Sequence, residues 1–432
     1  MNVFHQNLIA LFTVILLQSP FAEAAPPLNF EAAPVNYSDA TPQNVITQLQ
    51  RALDTGEKKW EYADDFGYLL PLLKDLKISI SSQMLPFSKT SLQRHLIGPD
   101  RPRALYFNDD AYVGYVQDGM LELMVTDEKL GMVFYTLKQT PAKKPQLQRQ
   151  VASCMTCHAS TRTKNIPGLL VRSMFVDPVG LPVISAGSFR TDHSSPLSER
   201  WGGWYVTGTH GKTTHMGNFH LASSKRPKKP IENKTGLNLK NLSSLKEIAH
   251  YPSPHSDLVA LMVFEHQIDA HNFIIRTNYA WQIDVHNGDT EQEDAVWKQE
   301  VEQLVKYLLF EKEAKLEFPI QGTSSFATEF AKQGPFDSQG RSLRQFDLER
   351  RLFQFPCSYM IYSKAFRSLA EPVRTYVYQR LKGVISGDDE SLLSQKMSES
   401  DRQNLAEILP ATIPELKQVW ERMGSSASAL VP

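Results

Sequence analysis

The chain has 432 residues, with 46 Lys and Arg, 47 Asp and Glu, and three Cys. Hydrophobic residues make up 41% and charged residues 22%, which is typical of a globular protein and excludes a collagen-like or wholly disordered chain. The net charge of -1 gives no electrostatic case for nucleic-acid binding. Three cysteines are too few for a small disulfide scaffold, and the length allows two or three domains.

The N-terminal sequence indicates the cellular compartment in which the protein is expected. Residues 8–17 read LIALFTVILL, an apolar run that is too short for a bilayer span of about 20 residues but suits the core of a signal peptide. A small-x-small pattern at Ala22-Glu23-Ala24 predicts cleavage after Ala24, although no Lys or Arg precedes the apolar run. A buried helix or an uncleaved anchor is the alternative. We therefore expect a periplasmic or secreted protein with no stable membrane span after cleavage of residues 1–24.

The next region, residues 25–140, has the pattern of a mixed α/β segment. An amphipathic helix is expected from about Thr41 to Leu53. Apolar and aromatic runs then predict a hairpin with an acidic turn and two further strands: Ala104–Phe107, Ala111–Val116, Leu121–Val125 and Met132–Tyr135. The acidic turn, Asn108-Asp109-Asp110, has too few oxygen ligands for a cation and is interpreted as a charged turn. Residues 141–150, rich in Pro, Lys and Gln, are interpreted as a linker.

Residues 154–158 read Cys-Met-Thr-Cys-His, the attachment signature of c-type haem. Two thiols three positions apart on one helical turn both reach haem vinyl groups, and the adjacent imidazole then faces the iron. In a chain of this length and composition, the expected number of chance matches to this motif is roughly 10⁻³. A thioredoxin-like redox pair lacks its strand-turn-helix context, and a half zinc site lacks a second cysteine pair, since Cys357 stands alone.

This motif resembles that of the monohaem c-type cytochromes. The close resemblance covers about residues 150–170, with 220 as its outer limit. It implies one covalent haem c held by Cys154 and Cys157, with His158 as the proximal iron ligand. In small class I members a proline after the motif offers its carbonyl to the proximal histidine, a role the resemblance gives to Pro167. The chain is similar to large exported bacterial proteins described as cytochrome c domain-containing, for which no common fold or reaction carries over.

The distal iron ligand is left open by the sequence. Met216 is the favoured candidate, because it lies 58 residues after His158 in a loop-like, glycine-flanked segment. Met174 is closer, but it lies in a strand-like run and is interpreted as a core residue. Histidines compete with Met216 for this role: His193, His210, His215, His220 and His266. The third possibility is an iron with an open position.

The rest of the haem-binding region, residues 141–222, is expected to contain two strands and an aromatic segment. The strands are predicted at Leu169–Phe175 and Leu181–Ile184. Trp201–Tyr205 is aromatic and rich in glycine, and could either wall a haem or pack in the core. Residues 223–255 are interpreted as a linker, whose basic cluster at 225–230 is either a solvated loop or a docking patch for an acidic redox partner.

Residues 256–432 are expected to be mainly helical. Helices are predicted over Asp257–Trp281, Glu291–Lys315, Leu348–Leu381 with a break at Pro356, and two short helices within 400–423. In the first, Glu265, His266 and Asp269 continue an apolar stripe, which indicates either a proton-handling role or a helix end that turns to solvent. Cys357 is expected to be a buried free thiol.

The sequence therefore predicts an α+β protein with a cytochrome c-like haem segment between a mixed α/β N-terminal region and a mainly helical C-terminal region. The favoured function is an exported electron carrier with unidentified redox donor and acceptor proteins. Because the chain is far longer than a small class I cytochrome, a peroxidase-like haem oxidoreductase with an open distal site is the first alternative. A haem sensor or docking subunit is the second.

Overall fold

The computed structural model describes residues 27–226, 231, 233–389 and 391–428. The predicted signal peptide with its cleavage position after Ala24 lies outside these residues, as does most of the basic cluster at 225–230. Both therefore stay predictions.

The described residues form an α+β fold, as the sequence indicated. Their strands are β1 (Leu85–Pro86), β2 (Ala104–Phe107), β3 (Ala111–Tyr115), β4 (Leu121–Asp127), β5 (Gly131–Leu137), β6 (Leu147–Gln150), β7 (Arg172–Met174), β8 (Ser188–Arg190) and β9 (Trp204–Tyr205). Their α-helices are α1 (Val45–Thr55), α2 (Leu69–Asp75), α3 (Ala152–His158), α4 (Leu258–Asn287), α5 (Val296–Leu308), α6 (Phe326–Ala331), α7 (Lys364–Arg367), α8 (Glu371–Ser386), α9 (Leu392–Lys396), α10 (Glu399–Thr412) and α11 (Pro414–Ser428).

An antiparallel meander, β2-β3-β4-β5-β6, forms the main sheet. The predicted hairpin is confirmed, with Phe107 paired to Tyr112 across the acidic turn. The predicted linker is wrong in its last part, because β6 pairs with β5 from Leu147 to Gln150. This edge strand reads Leu-Gln-Arg-Gln and carries no apolar alternation, which is why its sequence gave no strand signal.

The segment after the Cys-Met-Thr-Cys-His motif also differs from the predicted strands. Strand β7 is shorter than predicted, and its partner β8 begins at Ser188, beyond the predicted strand at Leu181–Ile184. A 3₁₀ turn occupies residues 184–186. Before it, residues 175–183 form a turn with the bridge between Val176 and Pro182, in which the Asp177 amide donates to the Leu181 carbonyl and the Val183 amide donates to the Phe175 carbonyl. The Asp177 carboxylate accepts the amides of Val179 and Leu181 and so holds residues 177–181 in a turn.

Helix α4 lies at the centre of the molecule. Asp257 caps its start by accepting the amides of Val259 and Ala260, and Gly288 ends it at a φ of 82°. Every residue from Leu258 to Asn272 is buried, so no face of these four turns is left for solvent. The helix packs along α5 on one side, while Gln267 bonds to Tyr112 of the main sheet on another.

One continuous hydrophobic core extends from Leu28 to Val419 and includes residues of all three expected regions, 25–140, 141–222 and 256–432. The expected domain boundaries therefore stay a prediction drawn from composition. Among the residues that the structure describes, no helix is both long enough and apolar enough to cross a bilayer.

Candidate haem-binding site

The short helix α3 brings the two motif thiols and the motif imidazole together. The helix begins two residues after β6, so it is held at the edge of the main sheet. Cys154 is half-buried against the core, Cys157 is exposed, and neither sulfur is in a disulfide. His158 is the last residue of the helix. Two thiols separated by one helical turn thus stand free for covalent attachment, directly beside an imidazole.

His158 is held by a pair of reciprocal hydrogen bonds with Gly168. The imidazole Nδ1–H donates to the Gly168 carbonyl at 2.8 Å, and the Gly168 amide donates to the His158 carbonyl at 2.8 Å. Because a carbonyl only accepts, the proton resides on Nδ1 and the Nε2 lone pair is the one left for a metal. Burial lowers the pKa of His158, which also favours the neutral form. The expectation for Pro167 is wrong by one residue, since Gly168 supplies the carbonyl.

The ring of His158 packs against the main sheet, with its centroid 4.8 Å from that of Phe134 on β5. Among the residues that the structure describes, the Gly168 carbonyl is the hydrogen-bond partner of this imidazole. The ring therefore has a fixed tautomer and a fixed side contact, which is how a proximal ligand is oriented in haem proteins.

Three buried polar residues of α4 anchor the loop between His158 and β7. The Asp269 carboxylate lies 3.5 Å from the Lys164 ammonium. The Asn272 amide accepts from the Leu169 N–H at 2.9 Å and donates to the Leu169 carbonyl at 2.7 Å, and Arg276 donates to the Lys164 carbonyl at 2.8 Å. Their spacing of three and four residues puts them on one face of α4. We call this set, Asp269, Asn272 and Arg276, the α4 clamp.

Gly168 is required by the close approach of the α4 clamp. A Cβ at this position would lie 2.4 Å from the Asn272 Oδ1 atom. We expect Gly168→Ala to destabilise the protein by about 1–3 kcal/mol, because Asn272 has to move and the acceptor of His158 moves with it. Urea unfolding measures this change.

Gly424→Ala is the matched control, since a Cβ at Gly424 meets nothing within 4 Å on helix α11. Alanine is the better helix former, so this variant should be equally or slightly more stable. Equal unfolding midpoints for Gly168→Ala and the native chain would contradict the role assigned to Gly168.

The polar residues of α4 are not at a helix end turned to solvent, so that interpretation is wrong. Glu265 is fully buried and bonds to Arg200 at 3.0 Å and to Thr191 at 2.7 Å. Burial alone would raise the pKa of Asp269, but Lys164 and Arg190 outweigh it and hold that pKa below its usual value. Buried charges of this kind need partners, and here the partners come from segments 65 to 105 residues earlier in the chain.

His193 and His266, two of the candidate distal ligands, bond to each other. Their Nδ1 atoms are 2.9 Å apart, His193 Nε2 lies 3.3 Å from the Glu311 carbonyl, and His266 Nε2 lies 2.6 Å from the Ser358 hydroxyl. Since the carbonyl only accepts, His193 donates to Glu311, His266 donates to His193, and Ser358 donates to His266. Every ring nitrogen of this pair has a partner inside the protein.

The other distal candidates have different surroundings. Met216 is buried, and its sulfur accepts a hydrogen bond from the Ser173 hydroxyl at 3.5 Å. His220 is exposed, whereas His210 and His215 are buried and in ring contact with each other. Met174 is a buried core residue of β7, as expected. The assignment of Met216 as distal ligand stays a prediction.

The remaining predicted residues are core residues. Cys357 is a buried free thiol, as expected, and burial raises its pKa to about 12. Trp201 and Trp204 of the aromatic segment are both buried. The sequence reasoning missed Gly168 and Asn272, and the available signal was an uncharged polar residue, Asn272, inside a long apolar helix.

The donor set of α3 fits a haem c. Within the described ranges no group of three or more His, Cys, Asp or Glu side chains is placed to hold a metal ion. In a haem protein the macrocycle supplies four iron ligands and the protein supplies one or two. Covalent attachment of the haem also requires free thiols. His158 with its lone pair on Nε2, and the free thiols of Cys154 and Cys157, match that requirement.

Comparisons with family models, with curated proteins and with solved structures give no match to this chain.

Proposed function

We propose that this chain is an exported monohaem c-type cytochrome that transfers electrons. The observation that carries the proposal is the local arrangement on α3: two free thiols one turn apart and an imidazole whose Nδ1–H is bonded to the Gly168 carbonyl. The sequence before residue 27, with its predicted cleavage after Ala24, supports export, and haem is attached to such motifs outside the cytoplasm.

Each part of the chain has a defined task in this proposal. The thiols of Cys154 and Cys157 would hold the haem, each by addition of its S–H across one vinyl group, a step that forms one C–S and one C–H bond with no net oxidation. The bound haem supplies an iron that accepts and releases one electron. His158 would hold the iron through Nε2, while the Gly168 carbonyl keeps the imidazole ring in orientation. The α4 clamp fixes the loop that follows His158, which would limit movement of this ligand when the iron changes oxidation state.

The proposal is tested by measuring covalently bound haem in the purified, exported protein. After denaturing electrophoresis we expect a haem-stained band at the mass of the chain, because thioether bonds survive unfolding. The pyridine haemochrome spectrum should be that of a haem whose two vinyl groups are both saturated. A protein purified from a host competent in haem attachment that carries no covalent haem would overturn the proposal.

A second candidate, a haem oxidoreductase with an open distal position, is favoured by the partners of three of the six distal candidates. All four ring nitrogens of His193 and His266 are in hydrogen bonds, and the Met216 sulfur accepts from Ser173. An iron left without a sixth protein ligand binds small molecules such as peroxide.

Added ligands separate the two candidates. With an open site, cyanide and carbon monoxide shift the absorption spectrum of the native protein, and Met216→Leu binds them equally well. With Met216 as ligand, the native spectrum is low-spin and resists carbon monoxide, and Met216→Leu alone becomes reactive. Leucine is close to methionine in volume, so the core around Ser173 is retained.

A further inference from the structure

The turn that follows β7 carries a concentration of exposed apolar side chains. Val179 is 52% exposed, Leu181 is 48% exposed and Ile184 is 55% exposed. They lie within six positions of the chain, yet they are three of the eight large hydrophobic side chains that are exposed among the described residues. Single exposed aliphatic side chains are ordinary, whereas several at one place indicate contact with something outside the chain. We call residues 177–184 the apolar turn.

Hydrogen bonds close the apolar turn and hold it in one conformation. The Asp177 amide donates to the Leu181 carbonyl at 2.9 Å, and the Val183 amide donates to the Phe175 carbonyl at 2.8 Å. The Asp177 carboxylate accepts the amides of Val179 and Leu181 at 3.0 and 2.9 Å. The exposed aliphatic side chains are therefore presented by an ordered turn rather than by a loose loop.

Every backbone N–H group between Asp177 and Val183 has a partner inside the protein. Besides the amides already described, that of Gly180 donates to the Asp177 carbonyl at 3.0 Å. The other two residues of this stretch are Pro178 and Pro182, which have no N–H. The turn can therefore leave water without stranding an amide, which is the condition for entering the apolar part of a lipid bilayer.

The tip of the apolar turn packs against the segment that contains Lys89. Gly180 has a φ of 87°, and a Cβ on it would lie 2.6 Å from the Phe87 carbonyl oxygen. The Gly180 carbonyl accepts from the Lys89 amide at 2.8 Å. Lys89, whose side chain is partly exposed, thus lies directly beside the tip.

A second basic segment is attached to the base of the apolar turn. The Ser224 hydroxyl donates to the Asp177 carboxylate at 2.7 Å, which places the exposed Lys225 and Arg226 next to the turn. Asp177 itself is only 3% exposed, so its charge does not face outward. The segments that meet here contain no Asp or Glu apart from Asp177: residues 88–99, 177–186 and 221–226. The border of the apolar turn is therefore positive on a chain whose net charge is -1.

We propose that the apolar turn attaches the protein to the surface of an anionic lipid bilayer. Val179, Leu181 and Ile184 enter the boundary between headgroups and acyl chains, where the turn carbonyls still meet water, and the bordering cations lie against the lipid phosphates. The turn is already ordered, so its insertion loses little conformational entropy. A protein partner is a poorer match, because the internally bonded amides leave the tip no N–H to donate to it. The proposal depends neither on haem nor on a transmembrane helix.

Vesicle sedimentation tests the proposal on the exported protein, purified without its signal peptide so that the apolar run at residues 8–17 does not cause binding. The probes are vesicles of phosphatidylcholine alone and vesicles of equal parts phosphatidylcholine and phosphatidylglycerol. We expect binding to the mixed vesicles to be tighter by about a hundredfold at low salt, because Lys89, Lys225 and Arg226 each contribute a factor of about five near an anionic surface. Most of this gain should disappear at about 1 M salt.

The double variant Leu181→Ser, Ile184→Ser should bind the mixed vesicles about tenfold more weakly, since two aliphatic side chains no longer leave water. Val285→Ser is the matched control: Val285 is 51% exposed but belongs to helix α4, so its loss should leave binding unchanged. Equal urea midpoints check that the variants are folded.

A second measurement reports the position of the turn itself. Val179→Trp in vesicles with brominated acyl chains should lose more tryptophan fluorescence than the native protein does, because its added indole enters the bilayer. No binding to the mixed vesicles, as expected if the turn contacts a protein instead, would overturn the proposal. So would equal binding by the native protein and the double variant.

Discussion

Replacing both Cys154 and Cys157 by alanine is expected to remove all covalent haem, while Cys357→Ala retains it in full. The two motif thiols lie on one turn of α3 and are half-buried and exposed, so both are open to reagents. Cys357 is 0% exposed, and burial raises its pKa to about 12, which leaves it as an inert thiol. The measurement is haem staining after denaturing electrophoresis, normalised to protein.

The single variants sharpen this prediction. Cys154→Ala and Cys157→Ala each leave one thiol able to form one thioether, so we expect a weaker haem band and a pyridine haemochrome spectrum with one unsaturated vinyl group. Retention of full haem in the double variant, or its loss in Cys357→Ala with the fold intact, would show that the attachment site lies elsewhere.

Glu265→Ala is expected to reduce the free energy of unfolding by about 3–5 kcal/mol at neutral pH, the largest stability effect that we predict. The substitution leaves the Arg200 guanidinium buried and without its carboxylate, and it also removes the acceptor of Thr191. The side chains of Arg200 and Glu265 are 2% and 0% exposed, so water does not replace the lost partner. Urea unfolding followed by circular dichroism measures the loss.

An exposed ion pair supplies the control for Glu265. The side chains of Arg101 and Asp118 are 39% and 69% exposed, and Asp118→Asn should change stability by no more than about 0.5 kcal/mol, because surface pairs contribute little. Glu265→Gln should fall between the two, since its amide oxygen still accepts from Arg200. A Glu265→Ala variant as stable as Asp118→Asn would mean that Arg200 finds another partner.

Local sequence pattern predicted much of the fold. The hairpin around Asn108 to Asp110 and the helices near residues 45, 258 and 400 follow from apolar periodicity, which depends only on neighbours in the chain. The charged turn is confirmed in detail, since Asp109 pairs with Arg344 and Asp110 accepts the amide of Ala365 at the start of α7. Cys357 was predicted to be buried because its neighbours are apolar.

The predictions that failed depended on distant partners. One of the two interpretations left open for Glu265 and Asp269, a helix end that turns to solvent, is wrong. Their partners, Arg200 and Lys164, lie 65 and 105 residues away in the chain, where local pattern gives no signal of them. Strand β6 has no strand pattern of its own and forms because β5 offers a free edge. The acceptor of His158 was expected at Pro167 and is Gly168, since the exact carbonyl depends on a loop held by Asn272.

The α4 clamp has a consequence for the order in which the molecule is assembled. During synthesis the two thiols emerge about a hundred residues before Asn272, whose amide later fixes Leu169 from a separation of 103 positions. Contacts so far apart in sequence form late, because the long loop between them has to close first. In the proposed cytochrome, the motif would therefore remain accessible for haem attachment until α4 docks, and the α4 clamp would then fix the loop that follows His158.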